Sequence, residues 1–335
     1  MMKKSNSLFV VLLVSVLGAT IVSCSNSDYF GEPAADNQSG AAVDDEGISL
    51  ANLQGEVGTG SRAAEQQIQF GYLQNGSRLG INMFRVDDGD VQYHNLCYDI
   101  GESGHLTYNQ SASADDSGVS NPTIPNNTNL TFYAYAPYRD GFKDKGTYDF
   151  TVQSDQRTTD AYVESDLMWG RVDDVSNVDV NVHLDHRLTV LNINLTLDTG
   201  VAPRDVTGGL VTVEGTKPTV EFNISDGTIS AAKGDAAPIK VFEIVKVGDE
   251  VTLSGSVVIA PQSIALGAEI ARITWPSTGK YISFVLAREA NFLGNMYYDI
   301  SRTITQQSLS DLSGSVGNVK EWVTVEEETA EFERE

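Results

Sequence analysis

The chain has 335 residues, with 46 acidic against 22 basic side chains and a formal net charge of −24. This charge argues against a nucleic-acid partner, because phosphate binding needs clustered lysine and arginine. It also disfavours broad adhesion to an anionic membrane. The length is enough for about two domains of ordinary size.

The N-terminal residues have the pattern of a secretory signal that ends in a lipid-attachment site. Two lysines precede an apolar run over 8–19, which is shorter than the roughly 20 apolar residues of a membrane-spanning helix. The tetrapeptide Ile-Val-Ser-Cys then ends at Cys24 and resembles the lipobox of bacterial lipoproteins. We predict a lipoprotein signal over 1–24 with acylation (palmitate) at Cys24. The alternative is an ordinary signal peptide with a chance cysteine.

Residues 25–62 read as a tether that contains one short strand. Residues 25–47 are rich in Ser, Asn, Gly, Ala and Asp with few large apolar side chains, and such a stretch cannot bury enough surface to offset its chain entropy. Ile48, Leu50 and Leu53 are the apolar points of a candidate strand. Residues 55–62 contain three glycines, and we predict an exposed, flexible connection there.

Beyond Ala63 short apolar runs recur between Gly, Asp, Asn and Pro, which predicts strands. Residues 87–90 and 225–227 have the Asp and Gly of hairpin turns, and 309–312 could form one helical turn. The predicted strands are 79–86, 130–136, 178–184, 188–197, 210–213, 251–259, 270–275, 281–287 and 297–304. Many short strands with little helix predict an all-β fold of β-sandwiches.

A polar segment over 172–177 separates two apolar-rich blocks of domain size. We therefore predict an N-terminal domain over 63–175 and a C-terminal domain over 176–335. Because no repeat of roughly 20–50 residues is visible, a propeller or a solenoid is not expected.

The histidines do not form a metal-site pattern. Strand alternation directs His183 and His186 to opposite faces, and Asp185 shares a face with His183. Zinc sites need three or four nitrogen or sulfur ligands, so we predict no metal, a packed His186 and an exposed or hydrogen-bonded His183. Residues 87–90 lack the further spacing of a calcium loop.

The aromatic run over 132–138 has the composition of a sugar-stacking platform, but alternation favours another reading. Phe132, Ala134 and Ala136 fall on one face, and Tyr133, Tyr135 and Pro137 fall on the other. A strand packed on both faces explains this distribution.

No catalytic residue and no cofactor are predicted. The chain has no Gly-x-Ser-x-Gly, no phosphate-binding glycine loop and no His-Glu-x-x-His. Paired carboxylates are too common here to indicate a glycosidase. With Cys24 acylated, Cys97 is the one remaining thiol, and we expect a small buried side chain rather than a nucleophile. We therefore predict that the chain is not an enzyme.

Several segments, in order over nearly the whole chain, resemble the fimbrillin family, the type V pilins of Gram-negative gut and oral bacteria. The match is looser at 66–74 and 188–190. The segments that carry it are 48–50, 61–63, 79–84, 131–138, 166–170, 182–188, 258–262, 297–300 and 319–323. The resemblance implies two tandem β-sandwich domains, transthyretin-like, with Greek-key-type strands.

The resemblance also implies a maturation step. In these pilins a lipid carries the precursor to the outer membrane, and a trypsin-like protease cuts after an arginine. The cut removes the lipidated segment with its first strand. Arg62 and Ala63 stand at the matching position, which makes 25–62 the removable segment. Arg78 is an alternative site, and an uncut linker at Arg62 is the other reading.

In the family the C-terminal segment of a neighbouring subunit fills the groove that the cut opens. The candidate donor strand lies at about 319–335 here, and an ordinary last strand with an acidic tail is the other reading. Its apolar candidates are Val319, Trp322, Val323 and Val325.

The function implied by the resemblance is a structural pilus subunit, of the shaft type, that supports adhesion at the cell surface. Its expected partners are other copies of itself, other pilus subunits, the maturation protease and, for the precursor, the outer membrane through the lipid. The alternative is a permanently lipid-anchored outer-membrane surface protein, either a fimbrial anchor or a glycan-binding lipoprotein.

Overall fold

The structure is a computed structural model that describes residues 48–49, 52–57, 76–176, 180–247 and 250–310. Of the helices in these residues, none is long and apolar enough to span a membrane. The strands are β1 Ile48–Ser49, β2 Asn52–Val57, β3 Arg78–Arg85, β4 Val91–Ile100, β5 His105–Tyr108, β6 Thr123–Ile124, β7 Leu130–Ala136, β8 Thr147–Thr151, β9 Met168–Val175, β10 Asn181–His186, β11 Thr189–Leu197, β12 Leu210–Val213, β13 Thr219–Asn223, β14 Ile239–Glu243, β15 Lys246–Val247, β16 Glu250–Val251, β17 Ser254–Ile259, β18 Gln262–Ile264, β19 Glu269–Trp275, β20 Lys280–Val285, β21 Ala290–Phe292 and β22 Tyr297–Ile304. The helices are α1 Thr159–Val163, α2 Pro203–Val206 and α3 Gln306–Ser310, with 3-10 turns at Glu102–Gly104, Gln110–Ala112 and Ala114–Asp116.

Seven strands form a closed sheet in the order β10-β2-β5-β4-β3-β7-β9, and β9 pairs back to β10. Neighbouring strands in this sheet are antiparallel except β2 and β10, which run parallel. Alternate side chains point inwards, and Leu79, Ile81, Phe132 and Leu184 are 0% exposed in the interior. The closed sheet therefore has a hydrophobic core of its own.

Two further sheets pack face to face beside the closed sheet. One has the order β14-β12-β19-β20 and the other the order β17-β11-β22, in which β11 runs parallel to β22. Leu191 and Ile193 of β11 share a buried cluster with Val211 of β12, Ile273 of β19 and Ile300 of β22. This cluster is the core of a β-sandwich, and the all-β prediction is confirmed.

Strand β7 packs on both faces, as its alternation predicts. Phe132 and Ala134 belong to the interior cluster of the closed sheet. Tyr133 and Tyr135 point the other way and join the larger cluster of the sandwich, where the rings of Tyr135 and Phe222 lie 6.1 Å apart. All seven residues of β7 are buried. The aromatic residues of β7 therefore connect the two cores, and the rings of Phe132, Tyr133 and Tyr135 are buried rather than free to stack on a sugar.

Three observations show contacts between the two sides of the predicted domain boundary at 175/176. Strand β10 lies after the division but completes the closed sheet, and β8 pairs with β13 from Thr151 opposite Thr219 to Thr147 opposite Asn223. All described residues fall in one compact unit. The tandem-domain boundary at 175/176 stays a prediction.

Several sequence predictions match the strands in detail, and others shift. The segments 130–136, 210–213 and 297–304 coincide with β7, β12 and β22, and 87–90 forms the hairpin turn between β3 and β4. The strand predicted over 251–259 begins at Ser254 instead, because Glu250–Val251 pairs with β15. The helical turn predicted over 309–312 is α3, three residues earlier.

Gln156 connects the two sheets of the sandwich, with its side-chain amide bonded to one sheet and its backbone N–H bonded to the other. Its Nε2 atom donates to the carbonyl oxygen of Val258 at 2.9 Å, and its Oε1 atom accepts from the Val258 N–H at 2.8 Å. The Gln156 backbone N–H donates to Lys240 on β14. One buried residue thus pairs with the backbones of β17 and β14.

We expect the substitution Gln156→Ala to lower the free energy of unfolding by about 2 kcal/mol or more, because it leaves two buried backbone groups of Val258 unpaired. Urea denaturation measures the change. Gln153→Ala is the matched control, since its side chain is exposed and only its backbone oxygen contacts Gln156. Equal losses in both variants would contradict the role of the amide.

Candidate functional site

Strand β2 closes the seven-stranded sheet by pairing with two strands at once. It runs antiparallel to β5 and parallel to β10. We call the position between β5 and β10, which β2 occupies, the β2 slot. The register pairs that include a buried residue of β5 or β10 are Leu53 with Leu106, Gly55 with Val182 and Val57 with Leu184.

The positions that line the β2 slot alternate between buried and exposed. Leu106, Val182 and Leu184 are 0% exposed. The residues between them, His105 on β5 and His183 on β10, are exposed. A strand in the slot therefore meets a buried apolar residue at every second position, and polar side chains are tolerated at the positions between.

The structure corrects one sequence prediction at this point. Residues 55–57 were expected in the exposed glycine-rich connection, but they belong to β2. Glycine has a low intrinsic strand propensity, and pairing on both sides outweighs it here. The candidate strand predicted at 48–53 is two strands, Ile48–Ser49 paired with β6 and Asn52–Val57 in the slot.

On its other edge β10 is held tightly by β9. A Cβ atom at Gly170 would overlap the carbonyl oxygen of His183, so the two backbones approach more closely than any other residue at position 170 permits. Asp185 and His186 pair with Trp169 and Met168. Strand β10 is thus fixed from the β9 side independently of β2.

The end of β10 is also fixed by a buried polar pair. Nδ1 of His186 lies 2.7 Å from Oδ1 of Asp166, and both side chains are largely buried. His183 is exposed, with its Nε2 atom 3.8 Å from the carboxylate of Asp185. The packed His186 and the exposed His183 are as predicted. In the described part of the chain, no group of three or more His, Cys, Asp or Glu could hold a metal ion.

Trp169 joins the closed sheet to the turn that follows β13. Its indole N–H donates to the carbonyl oxygen of Ile224 at 2.7 Å, and Gly227, with φ of +69°, lies against the ring. The Arg187 guanidinium stacks over the same ring at 4.9 Å. Burial lowers the pKa of Arg187. This contact orients the chain where β10 leaves the closed sheet.

Cys97 is a free, buried thiol on β4. Burial raises its pKa to about 12, so the thiolate is scarce at neutral pH and the side chain is a weak nucleophile. The prediction of a small buried apolar side chain is confirmed.

The residues predicted for lipid attachment, cleavage and strand donation lie outside the described residues. They are Cys24, Arg62, Ala63, Val319, Trp322, Val323 and Val325. Their roles stay predictions. What the structure adds is β2 itself, whose pairing partners could not be read from the sequence.

The fold defines an all-β protein in which a closed seven-stranded sheet adjoins a β-sandwich. The chain belongs to the fimbrillin-like family, whose model matches residues 61–322. No curated protein sequence matches the chain.

Solved structures with a similar fold come from species of Bacteroides. An inferred cell adhesion protein from Bacteroides ovatus has a TM-score of 0.59 and 15% identity, over 82% of this chain and 94% of that one. One from Bacteroides uniformis has a TM-score of 0.55 and 20% identity, over 79% and 95%. The fimbrial anchor protein Mfa2 from Porphyromonas gingivalis has a TM-score of 0.35 and 13% identity, over 75% and 89%. At these identities the likeness to the two Bacteroides structures, whose TM-scores exceed 0.5, shows the fold alone.

We expect Gly170→Ala to lower the free energy of unfolding by about 3 kcal/mol, because the added methyl group must separate β9 from β10. Chemical denaturation measures the loss. Gly118→Ala is the matched control, since a Cβ atom there meets nothing within 4 Å. If the two variants are equally stable, the close approach does not fix β10.

Proposed function

We propose that this protein is a structural subunit of a cell-surface fimbria, of the shaft type, which supports adhesion. Membership of the fimbrillin-like family supports the fimbrial role. The partners in this proposal are further copies of the chain, other pilus subunits and a trypsin-like protease. The precursor is held at the outer membrane by a lipid on Cys24.

The position of β2 carries the proposal. Cleavage between Arg62 and Ala63 separates β1 and β2 from the rest of the chain, because both strands precede residue 62. Loss of β2 leaves β5 and β10 as facing edges of an open sheet. Leu106, Val182 and Leu184, which are now fully buried, then line an apolar slot.

An open slot of this kind favours the addition of a strand. Unpaired backbone N–H and C=O groups on two facing edges can bond to an extended segment, and the buried positions select its apolar side chains. In our proposal the segment comes from residues 311–335 of a neighbouring subunit, in which Val319, Trp322, Val323 and Val325 lie. Each subunit then fills the slot of the next, which generates a fibre.

A shaft subunit needs two features, a slot that receives a strand and a segment that is donated to a neighbour. A cut after Arg62 opens the slot, and the 25 residues after Ser310 supply a segment for the neighbour. A subunit that can both receive and donate a strand extends a fibre in either direction. A chain that keeps its lipid stops the fibre at the membrane, which is the anchor alternative.

We expect Arg62→Ala to abolish maturation, because a trypsin-like protease needs the arginine side chain before the cut. Mass spectrometry of the surface protein should find Ala63 as the first residue of the natural chain and no such product from the variant. Arg78→Ala, in which the alternative arginine at the start of β3 is replaced, is the matched control and should still begin at Ala63.

The same measurement separates the two functions. A natural chain that begins at acylated Cys24 would contradict the shaft proposal and indicate a permanently anchored lipoprotein. Screening of that lipidated chain against glycans would then be the appropriate experiment.

Deletion of residues 311–335 should block assembly of the protease-treated protein into high-mass particles, because no segment is left to enter the slot. Light scattering after cleavage measures assembly. The uncut truncated chain should unfold at the same temperature as the full chain, since the deletion begins after α3. Loss of the folded monomer itself would identify 311–335 as an internal part of the fold.

A further inference from the structure

The chain repeats the sequence around its own slot-filling strand in a segment that begins in the last turn of α3 and continues beyond it. Residues 49–58 read SLANLQGEVG, and residues 308–317 read SLSDLSGSVG. The two segments are identical at six of ten positions, and the differences include Asn52 against Asp311 and Ala51 against Ser310. The identical pairs are Ser49 and Ser308, Leu50 and Leu309, Leu53 and Leu312, Gly55 and Gly314, Val57 and Val316, and Gly58 and Gly317.

Three of the six identities fall where the slot is selective, whereas Ser308 and Leu309 lie within α3. Leu53, Gly55 and Val57 are the β2 positions opposite buried Leu106, Val182 and Leu184. All three are repeated at 312, 314 and 316. The intervening positions, Gln54 and Glu56, lie opposite exposed residues, and there the repeat has serine instead. The repeat is thus identical at the three positions that face buried residues of the slot. Within the span of β2 it differs only at positions that face exposed residues, where substitution is tolerated.

We propose that residues 312–316 of a second copy of this chain enter the β2 slot, with Leu312, Gly314 and Val316 in the positions of Leu53, Gly55 and Val57. This inference rests on the proposed function and specifies the segment and its register. The inserted strand runs in the direction of β2, parallel to β10. Residues 319–325 follow it, as residues 60–62 follow β2 in the precursor.

The same five-residue sequence occurs elsewhere in the chain, where its last four residues lie in a strand. Leu-Ser-Gly-Ser-Val occurs at 312–316 and also at 253–257. There Ser254–Ile259 is β17, paired antiparallel with β11, and Val257 is 0% exposed. The glycine of that copy, Gly255, accommodates the ring of Phe242. A strand with this sequence is therefore compatible with a buried face.

The later part of the C-terminal segment fits the slot less well. Residues 319–325 contain no glycine, so every register sets a side chain opposite Val182. The register that has Val319 and Val323 at the outer positions sets Glu321 at the central one. A carboxylate at a buried apolar position is strongly unfavourable. The earlier segment is thus the better match to the geometry of the slot.

Three glutamate substitutions in the full chain test the register. After protease treatment, Leu312→Glu should reduce assembly by more than about tenfold, since it buries an unpaired charge opposite Leu106. Ser315→Glu should assemble as the natural chain does, because it reproduces Glu56. Val323→Glu, the matched control in the later segment, should also assemble. Light scattering and electron microscopy measure the fibres, and thermal unfolding of the uncut chains checks that all three fold.

A fourth variant, a triple substitution, serves as a positive control for the register. The combined change Asp311→Asn, Ser313→Gln and Ser315→Glu makes residues 311–317 identical to 52–58 and should assemble fully. Normal assembly of Leu312→Glu, or loss of assembly in Val323→Glu alone, would overturn the inference and leave the proposed function standing. If the cleaved natural chain itself stays monomeric, the proposed function fails instead.

Discussion

The structure depends on one strand that satisfies two sheet edges. Buried backbone N–H and C=O groups must be paired, and in the closed sheet β2 pairs with both β5 and β10. Strand β2 pairs parallel with β10, whereas the other neighbouring strands of the closed sheet are antiparallel. Strand β2 precedes Arg62 in the chain. Cleavage of one peptide bond after Arg62 would therefore separate from the rest of the chain the strand that closes the sheet.

The strands around the slot are held by contacts that do not involve β2. Strand β10 is fixed by Gly170 of β9, by the pair of His186 with Asp166, and by Trp169 against the turn after β13. Strand β5, on the other side of the slot, pairs with β4, and β7 is buried on both faces between the two cores. A frame of this kind can keep its shape when one strand is exchanged, which is the physical requirement for addition of a second copy.

The sequence predicted much of the fold because alternation reports which face of a strand is buried. The segments 130–136, 210–213 and 297–304 matched strands, and the alternation in 132–138 gave the two packed faces of β7. The prediction failed at 55–57, where glycines indicated a connection. Pairing with β5 and β10 made those residues a strand, and local composition contains no record of partners that lie about 50 and 130 residues away.

By itself the sequence determined the all-β class, the family resemblance, the buried Cys97 and the packed His186, because each follows from residue type and spacing along the chain. The tertiary structure decided which strand completes the closed sheet and which residues face it. The register of β2 against Leu106, Val182 and Leu184 is a relation between distant segments. Without that register, the likeness between residues 49–58 and 308–317 would be a short repeat with no physical meaning.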